Sequence, residues 1–406
     1  MTQYQVTVDE AVVHKLFSGN DRGLAELLQQ VLNQILQAQR DEALGAGPYE
    51  RTEQRRGYRN GYKPRKLVTR VGTLTLRVPQ VREGEFSPEL FQRYQRSEQA
   101  LVLALMEMVI NGVSTRKVAR ITEELCGVSF SKSTVSDLCK RLDLVVRAWN
   151  QRDLSDRTFP FVQLDAVVLR IRDDDRVRSQ SGLLATGVNE DGYREVLGLM
   201  IGDSESEASW STMLRWLKDR GLRGVDFVTS DDHGGLVKAI HKHLQSTTWQ
   251  RCQTHFMRNI LDACPKTLQP EIHRHVRSVL DAPDQATARV LLQTVLGTYG
   301  DRAPRAMAIL EQGFEDATAV LALPEPYRKR LRTTNGLERL IEEIRRRERV
   351  IRIFPNQASA ERLLGALLME IDEAWSTGRR YFDMQGYYAW KRAREEAASE
   401  ERSQVA

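Results

Sequence analysis

The stretch GVDFVTSDDHGGLVKAI, residues 224–240, joins a short apolar run to a helical pattern through two adjacent acids and two glycines. Its first half has the composition of a buried strand, and the residues after the glycines have the period of a helix. Asp231 and Asp232 stand where the strand ends. This order predicts part of an α/β domain and raises the question of why paired acids end a buried strand.

The segments around this stretch extend the same domain. Three β-rich runs precede it, FVQLDAVVLRI, GLLATGVN and REVLGLMIG, and the turn sequences between them predict a three-stranded meander. A helix with Trp210, Leu214 and Leu217 on one face follows, and the short strand TWQRC comes last. This is the element order of a ribonuclease H-like domain, in which helices cover both faces of a mixed sheet.

Two acids of this domain are expected to meet. Asp165 interrupts the first strand and Asp231 ends the fourth, and in such a sheet these strands are neighbours. A buried carboxylate pair persists by taking up a proton or by holding a cation, and carboxylates with open coordination positions suit Mg²⁺. Asp232 is instead expected to cap the helix that begins near Gly234, because strand alternation sends it to the opposite side.

A third acid is expected from the long helix in TTNGLERLIEEIRRRERVIRIFPN, residues 333–356. Glu338 flanks the apolar face of this helix, with Arg345 and Arg349 behind it on the same stripe, and is placed to meet both metal and phosphate. A capping box between Asn335 and Glu338 is the alternative. The competing acids of the helix are Glu338, Glu342, Glu343 and Glu348.

Cys252 and His255 have the metal-like spacing CxxH. A zinc site usually takes four ligands, and Cys264 with His273 or His275 could complete one, although the spacing matches no usual zinc finger. The chain has no GxxxxGK[ST], GxSxG or HExxH pattern, so it gives no sign of nucleotide hydrolysis, a serine nucleophile or a zincin site.

Positive charge is concentrated ahead of the α/β domain. Residues 51–82 hold ten Lys or Arg and one acid, Glu53, with tyrosines and glycines interleaved. This composition is typical of a flexible arm on a phosphate backbone, and a solvated basic linker is the alternative. Within it, KLVTRVGTLTLRVPQVR alternates like a short hairpin around Gly72. The candidate DNA contacts of this arm are Arg55, Arg56, Arg59, Lys63, Arg65 and Lys66.

The next segment predicts short helices separated by turns. Ser114 can cap TRKVARITEEL, and Ser131 or Ser133 can cap TVSDLCKRLDLVVRAW. Two capped helices joined by a glycine turn fit a helix-turn-helix that reads a DNA groove, and small three-helix units without DNA contacts share the pattern. The candidate DNA contacts are Arg116, Lys117, Lys132 and Ser133.

The 406 residues suggest two or three domains. The chain has no run of about 18 uncharged apolar residues, and its N-terminus lacks the pattern of a signal peptide. We therefore expect a cytoplasmic protein with reduced cysteines and no membrane partner, associated with the nucleoid when it binds DNA.

Several motifs occur in order between about residue 50 and residue 375: RNGY at 59–62, GVSTRKVARITEELCGVSFSKSTVS at 112–136, LDAVVLRIR at 164–172, SDDHGGL at 230–236, WQRCQTHFMRN at 249–259 and TTNGLERL at 333–340. Together they resemble the Mutator-type transposases of bacterial insertion sequences. The resemblance implies a DDE catalytic domain with a ribonuclease H-like fold and a helical insertion before the last acid. The triad that it implies is Asp165, Asp231 and Glu338, holding two Mg²⁺ or Mn²⁺ ions, with Cys252 and His255 as support for the active site.

The resemblance also implies an activity. The protein would bind the inverted repeats of its element, cut the ends, and join the freed 3′ hydroxyl to target DNA, working as a dimer or larger assembly on double-stranded DNA. Arg345, Arg346 and Arg349 would hold phosphates near the metals, and the family route is replicative through a circular intermediate. A DNA-binding regulator without chemistry and a nuclease of the same fold that never joins DNA are the alternatives.

The chain is expected to contain seven segments. They are an N-terminal helical module at 1–50, the basic arm with its hairpin at 51–96, the helix-turn-helix-like domain at 97–155, the first part of the catalytic domain at 156–255, the helical insertion at 256–330, the last catalytic helices at 331–393 and a disordered tail at 394–406.

Overall fold

The structure is a computed structural model that describes residues 6–17, 23–50, 55–82, 86, 88, 99–126 and 130–405. It divides into two compact units, residues 1–140 and 141–406. Across the described ranges, no helix combines the length and the apolar character needed to cross a bilayer.

The first unit begins with helices packed against a β-hairpin. The elements are α1 Glu10–Phe17, α2 Gly23–Leu44, β1 Tyr58–Thr69 and β2 Gly72–Arg82. Leu36 of α2 is buried with Leu67, Leu74 and Leu76 of the hairpin. The hairpin is longer than predicted, since the antiparallel pairing reaches Tyr58 opposite Arg82. The segment RNGYKPRK is therefore part of a strand and not of a flexible arm, because its backbone pairs with β2.

Three short helices complete the described part of this unit. They are α3 Gln99–Ile110, α4 Thr115–Cys126 and α5 Lys132–Cys139. The helices pack on one another and bury Leu105, Val118 and Val135. Two predicted caps are confirmed: the Ser114 hydroxyl accepts the amide of Lys117 at 3.3 Å, and the Ser131 hydroxyl accepts the amide of Thr134 at 3.1 Å.

The second unit contains a mixed five-stranded sheet. Its first elements are α6 Leu142–Asn150, β3 Phe161–Asp173, β4 Arg176–Val188, β5 Arg194–Gly202, α7 Glu207–Asp219, β6 Phe227–Ser230, α8 Gly234–His243 and β7 Thr248–Arg251. The strand order is β5-β4-β3-β6-β7. Strands β3, β4 and β5 form the predicted antiparallel meander, and β6 is parallel to both β3 and β7. The sequence therefore predicted the mixed sheet correctly.

Helices α7 and α8 supply the apolar layer on one side of this sheet. Trp210 and Leu214 of α7 and Leu236 and Ile240 of α8 are buried in one cluster with Leu164 of β3. Leu164 alternates with Asp165 along the strand, so the carboxylate of Asp165 points to the face of the sheet opposite to this layer.

Helix α6 belongs to the second unit, although the sequence grouped it with the helix-turn-helix-like domain at 97–155. The indole of Trp149 donates to the carboxylate of Asp372 at 2.8 Å. The side chain of Asn150 donates to the carbonyl of Leu199 at 2.8 Å and accepts its amide at 3.0 Å. These polar contacts join α6 to distant parts of the chain, which local sequence patterns do not reveal.

The predicted all-helical insertion follows the sheet. Its elements are α9 Gln253–Asp262, α10 Gln269–Leu280, α11 Gln285–Tyr299, α12 Pro304–Gln312, α13 Phe314–Thr318, a 3₁₀ turn at Ala319–Ala322 and α14 Glu325–Leu331. Phe256, Ile272, Val276, Tyr299 and Leu310 are buried in a cluster formed within this segment. The insertion therefore carries a hydrophobic core of its own.

Three long helices end the chain: α15 Asn335–Ile351, α16 Gln357–Thr377 and α17 Met384–Val405. Helix α17 continues through the segment that was expected to be a disordered tail from residue 394. Its Ala, Glu and Arg residues favour helix, and its first turns are held in place. The hydroxyl of Tyr387 donates to Asp226 at 2.9 Å, and the ammonium of Lys391 binds the same carboxylate at 2.7 Å.

Candidate active site

Asp165 and Asp231 occupy equivalent positions on neighbouring parallel strands. Gln163 of β3 pairs with Thr229 of β6. Asp165 follows Gln163 by two residues within β3, and Asp231 follows Thr229 by two residues, just beyond the end of β6. Continuing this register places Asp165 opposite Asp231, at the usual strand separation of about 4.8 Å. The expectation that these two strands lie side by side is therefore confirmed.

Asp165 has no Lys or Arg partner in the described part of the chain, although the charge of His255 acts to lower its pKa. Burial raises the pKa of Asp165 to about 7; a hydrogen bond from the Ala166 amide opposes the shift, and the negative charges of Asp231 and Glu205 add to it. Within the described chain no Lys or Arg forms an ion pair with Asp165 or Asp231. Buried carboxylates in this situation favour a proton or a bound cation.

Asp232 does not cap α8 as predicted. Its carboxylate binds the guanidinium of Arg251 at 2.8 Å, and the N-cap residue of α8 is His233, whose side chain makes no capping hydrogen bond. The carboxylate that accepts an amide here belongs to Asp231, which receives the N–H of His233 at 3.3 Å. Arg251 therefore neutralises Asp232, whereas Asp231 forms no ion pair with a Lys or Arg of the described chain.

The segment that leads into α15 is fixed to the face of the sheet that carries Asp165. The side-chain Nε2 of Gln163 donates to the carbonyl of Thr333 at 3.1 Å. The hydroxyl of Thr229 donates to the carbonyl of Leu331 at 2.6 Å. Gln163 and Thr229 each stand two residues before an acid, so the start of α15 is brought to the face on which Asp165 and Asp231 lie.

The far end of α15 is fixed to the same strand. Phe354 forms a parallel bridge with Ile171, through hydrogen bonds of 2.9 Å to the backbone of Arg170 and of Arg172. Helix α15 rises about 25 Å over its length, and β3 spans about 26 Å from Gln163 to Ile171. The helix therefore runs along β3 between two anchors, which fixes the position of its acids along the strand.

Glu338 is the acid of α15 that contacts His255, a residue on which the charge of Asp165 also acts. The N-cap of the helix is Thr334, and the amide of Glu338 donates to its carbonyl at 2.8 Å. The predicted capping box between Asn335 and Glu338 is therefore absent from this helix, because Asn335 already lies inside the first turn. One turn on from Glu338, Glu342 is exposed.

The remaining acids of α15 are engaged elsewhere. Glu343 binds Arg346 at 3.2 Å and also binds Arg347. Burial raises the pKa of Glu348, and the charge of Arg345 and the backbone and charge of Arg170 oppose the shift. Because Arg170 lies on β3 five residues after Asp165, Glu348 lies beside a part of the strand distant from Asp165.

Cys252, His255 and Glu338 form a group whose possible ligand atoms all lie within 4.8 Å of one another. In the described chain this is the one group of three or more possible metal ligands that lie so close together. The carboxylate oxygens of Asp165, Asp231 and Glu338 therefore do not all lie within 4.8 Å of one another. The imidazole Nε2 of His255 lies 3.6 Å from a carboxylate oxygen of Glu338. Contact with the Cys252 thiol raises the pKa of His255 to about 9; burial opposes this, and the charges of Asp165 and Glu338 add to it.

Cys252 also holds the start of α15. Its sulfur accepts the amide of Thr334 at 3.5 Å and the hydroxyl of the same residue at 3.4 Å. Burial acts to raise the pKa of the Cys252 thiol, but the neighbouring His255 side chain and the hydrogen bonds from Thr334 outweigh it and lower the pKa. The thiol thus connects the end of β7 to the N-cap of the helix that carries Glu338.

Among the described residues, the structure brings none of the other predicted zinc ligands to Cys252 and His255. The thiol of Cys264 donates to the carbonyl of Pro265 at 3.4 Å, and Nδ1 of His275 contacts the hydroxyl of Tyr299 at 2.6 Å. Neither these residues nor His273 join the group of Cys252 and His255 within the described chain.

Glu205 is an acid of this site that the sequence did not single out. It stands just before α7, where the indole of Trp210 donates to it at 3.4 Å and Nδ1 of His233 lies 3.8 Å away. Burial raises the pKa of Glu205, and the charge of Asp231 raises it further. The stretch SESEASW has the pattern of a helix start, which gives no signal for a carboxylate aimed at Asp231.

The DNA-contact candidates of the hairpin differ in their surroundings. Arg59 is held within the unit, by Asp41 at 2.8 Å and by the carbonyl of Gly47 at 2.7 Å. Arg55 is half-buried and donates to the carbonyl of Gly57 at 2.9 Å. Of the other candidates, Arg65 is half-buried, whereas the exposed ones are Arg56, Lys63 and Lys66.

The helical candidates lie at helix starts or on exposed faces. Arg116 and Lys117 are exposed in the first turn of α4, and Ser133 is exposed in α5. Lys132 is the first residue of α5, and its side chain lies outside the described part of the structure. On α15 of the second unit, the predicted phosphate contacts are all exposed: Arg345, Arg346 and Arg349.

A family model described as "Transposase, Mutator family" matches residues 1–378 of the chain. The chain is 43% identical over 388 residues to the "Transposase for insertion sequence element IS256 in transposon Tn4001" of Staphylococcus aureus, covering 94% of this chain and 99% of the relative. It is 45% identical over 384 residues to the "Transposase for insertion sequence element ISRM5" of Rhizobium meliloti, covering 95% and 96%.

A more distant relative matches over a similar length. The chain is 37% identical over 385 residues to the "Transposase for insertion sequence element IS1081" of Mycobacterium tuberculosis, covering 95% of this chain and 93% of the relative. Among solved structures, the "Drosophila P element transposase strand transfer complex" overlaps 70% of this chain and 81% of that chain, with 13% identity and a TM-score of 0.31. That score is too low to support a comparison of folds.

Proposed function

Because this chain belongs to the Mutator family of transposases, we propose that it is a DNA transposase that binds the inverted repeats at the ends of its insertion sequence and catalyses metal-dependent strand cleavage and strand transfer. The catalytic acids of this proposal are Asp165, Asp231 and Glu338. The observation that carries it is the pairing of Gln163 with Thr229, which brings Asp165 and Asp231 to the same end of neighbouring parallel strands. Neither acid forms an ion pair with a Lys or Arg of the described chain, whereas the adjacent Asp232 is paired with Arg251.

The strand order supports a ribonuclease H-like assignment for the second unit. In chain order within that unit the strands lie 3-2-1-4-5, with the first and fourth parallel. The helices from Gln253 to Leu331 enter between the fifth strand and the helix that carries Glu338. We propose that this is a DDE core interrupted by an insertion.

The donor set fits a hard divalent ion. Carboxylate oxygens are the ligands that Mg²⁺ and Mn²⁺ prefer, and the raised pKa of the buried Asp165 carboxyl marks a place where added positive charge is favourable. His255 already supplies a cation near Asp165 and Glu338. Asp165, Asp231 and Glu338 would hold the ions, and two such ions supply polarisation of the attacking and leaving oxygens in phosphoryl transfer.

The residues around the acids have positioning roles in this proposal. Cys252 holds Thr334, and through it the first turn of α15. His255 orients the carboxylate of Glu338 by an ion pair. Arg251 neutralises Asp232, so that of these two neighbours Asp231 adds its charge to the site.

We further propose that double-stranded DNA contacts the exposed basic residues of the hairpin, of the start of α4 and of α15. The contacts would include Arg56, Lys63, Lys66, Arg116 and Lys117, with Arg345 and Arg349 on the second unit. Two element ends must be brought together for joining, so the active form would be a dimer or a larger assembly on DNA.

A strand-transfer assay tests the proposal. The full chain is incubated with duplex oligonucleotides that carry the DNA sequences at the ends of its element, with Mg²⁺, with Mn²⁺ or with EDTA. We expect joined product with either ion and none with EDTA. Cleavage without joined product would instead indicate a nuclease, and binding without either product would indicate a regulator; both outcomes contradict the proposal.

A further inference from the structure

A basic pocket lies beside the first turn of α15. The cavity has a volume of about 720 Å³ and is lined by residues of β5, of the segment around α14 and α15, and of the connection after α16. The cationic side chains that line this basic pocket are Arg194, Lys329, Arg330, Arg339, Arg379 and Arg380.

The positive charge of the basic pocket is not balanced by acids. Among the described residues, none of its six cations forms an ion pair. The one acid in its lining, Glu343, is bound to Arg346 and Arg347. Burial lowers the pKa of Arg194, and although Tyr381 opposes the shift, the charges of Arg330 and Arg339 lower it further. Like charges gathered in this way are stabilised when an anion enters.

Aromatic rings hold two of these guanidinium groups in place. The guanidinium carbon of Arg194 lies 4.0 Å from the ring centre of Trp375 and 4.5 Å from that of Tyr381. The guanidinium carbon of Arg330 lies 4.5 Å from the same ring of Tyr381. Stacked arginines lose less freedom when they bind a phosphate, because the planar donor group is already oriented.

The helix terminus adds donors to the same wall. A side chain at Gly336 would stand 3.7 Å from the guanidinium of Arg194 and 3.9 Å from the hydroxyl of Tyr381. The amide of Gly336 has no acceptor within the described chain, as is usual for the first turn of a helix. Free amides and the helix dipole favour an anion there. A side chain at Gly336 would also stand 3.5 Å from Oε1 of Gln163. Gln163 lies two residues before Asp165 on the same face of β3, so the basic pocket lies near the proposed catalytic acids along that strand.

We infer that the basic pocket binds consecutive phosphate groups of a DNA strand that passes the catalytic acids. Six cations around a cavity of about 720 Å³ exceed what a single phosphate needs, which favours a phosphodiester chain over a free phosphate ion. This inference rests on the proposed DNA substrate. It adds to the surface of Arg345, Arg346 and Arg349, none of which lines the pocket.

The test neutralises two exposed residues of the basic pocket, as the double variant Arg339→Gln with Arg379→Gln. The matched control, Arg274→Gln with Arg305→Gln, removes the same charge from exposed positions of the insertion. Binding of each protein to a duplex with the element's end sequence is measured over a series of salt concentrations. Each lost phosphate contact reduces the slope of log affinity against log salt by about 0.9.

We expect the pocket variant to bind DNA more weakly, with a slope smaller by about 1.8, and the control to keep the wild-type slope. The variant Arg339→Lys with Arg379→Lys keeps both charges and should restore the slope. An unchanged slope in the glutamine variant, or an equal loss in the control, overturns the inference. Urea unfolding of all three proteins checks that each is folded.

Two further arms separate the possible outcomes. In the first, ³¹P NMR follows binding of inorganic phosphate: if the glutamine variant loses phosphate binding while its DNA slope stays unchanged, the pocket is a free-anion site and the inference is wrong. In the second, strand joining by the wild-type chain is measured on the same duplex. A wild type that binds DNA without joining it contradicts the proposed function, while the slopes still decide the role of the pocket.

Discussion

Neighbouring aspartates at the end of β6 have opposite electrostatic surroundings. Asp232 is exposed and paired with Arg251 at 2.8 Å, so its charge is already neutralised. Asp231 receives one backbone amide and raises the pKa of both Asp165 and Glu205. We propose that the charge available to a cation belongs to Asp231, while Asp232 serves as the partner of Arg251.

Replacement of Cys252 by Val tests the link between β7 and α15. The substitution keeps an apolar side chain but removes the sulfur that accepts the amide and hydroxyl of Thr334. A buried donor without a partner costs about 1–3 kcal/mol, and we expect the lower end of that range because sulfur is a weak acceptor. Urea unfolding measures the cost, and the strand-transfer rate should fall because the N-cap of α15 is no longer held.

Cys264→Val is the matched control for this prediction. Cys264 is also buried, and its thiol donates only to the neighbouring carbonyl of Pro265. We expect its strand-transfer rate to stay at the wild-type value. Equal rates for the Cys252 and Cys264 variants would contradict a positioning role for Cys252.

At the scale of elements, two helix starts of the second unit approach each other closely. Helices α7 and α8 begin beside each other, and a side chain on Gly235 would stand 2.6 Å from the backbone amide of Glu207. Gly234, one residue earlier, has open space around it. Close packing therefore requires a glycine at position 235 but not at position 234.

We expect Gly235→Ala to destabilise the protein and Gly234→Ala not to. The methyl group that the first substitution adds would push the backbones of α7 and α8 apart, and we expect the free energy of unfolding to fall by about 1–3 kcal/mol, as is typical of overpacking. The second is neutral or stabilising by up to about 1 kcal/mol, since Ala loses less entropy than Gly in a helix. Urea unfolding midpoints measure both. A loss for Gly234→Ala as large as that for Gly235→Ala would contradict this account of the helix contact.

At the scale of the whole molecule, α17 covers the start of the central strands. Tyr387 is buried with Phe161 of β3 and Phe227 of β6, and Lys391 binds Asp226 at the start of β6. Helix α17, which begins inside the segment predicted at 331–393 and continues into the predicted tail, is therefore part of the packed second unit.

Two truncations measure the contribution of α17. A chain that ends after Asp383 loses the buried ring of Tyr387 and the partners of Asp226. Loss of a buried aromatic side chain costs about 3–5 kcal/mol, and we expect the free energy of unfolding to fall by at least that amount. A chain that ends after Glu395 keeps these contacts, so its stability should change by no more than about 0.5 kcal/mol. Urea unfolding compares them. Equal midpoints for the two truncated chains would show that the first turns of α17 do not stabilise the unit.

Much of the second unit could be predicted because its signals are local. The alternation around Asp165 and the strand ending at Asp231 give strand order, and strand order brings the two acids together. Contacts between distant segments have no such signal. Cys252 and Thr334 are 82 residues apart, and nothing in the helix start around Glu205 indicates a carboxylate near Asp231. The partner of Asp232 was missed for the same reason, because helix capping is a local pattern and the Arg251 ion pair is not.

The most direct test of the central claim compares strand transfer by Asp231→Asn and by Asp232→Asn, two neighbouring changes of the same chemical kind. Loss of a residue that only supports a metal ligand typically lowers activity by about 10–100-fold. We predict that Asp231→Asn lowers the rate of strand joining by more than this, while its affinity for DNA stays at the wild-type level. Asp232→Asn should keep most of the joining activity. Loss of joining in Asp232→Asn with activity retained in Asp231→Asn would contradict the account.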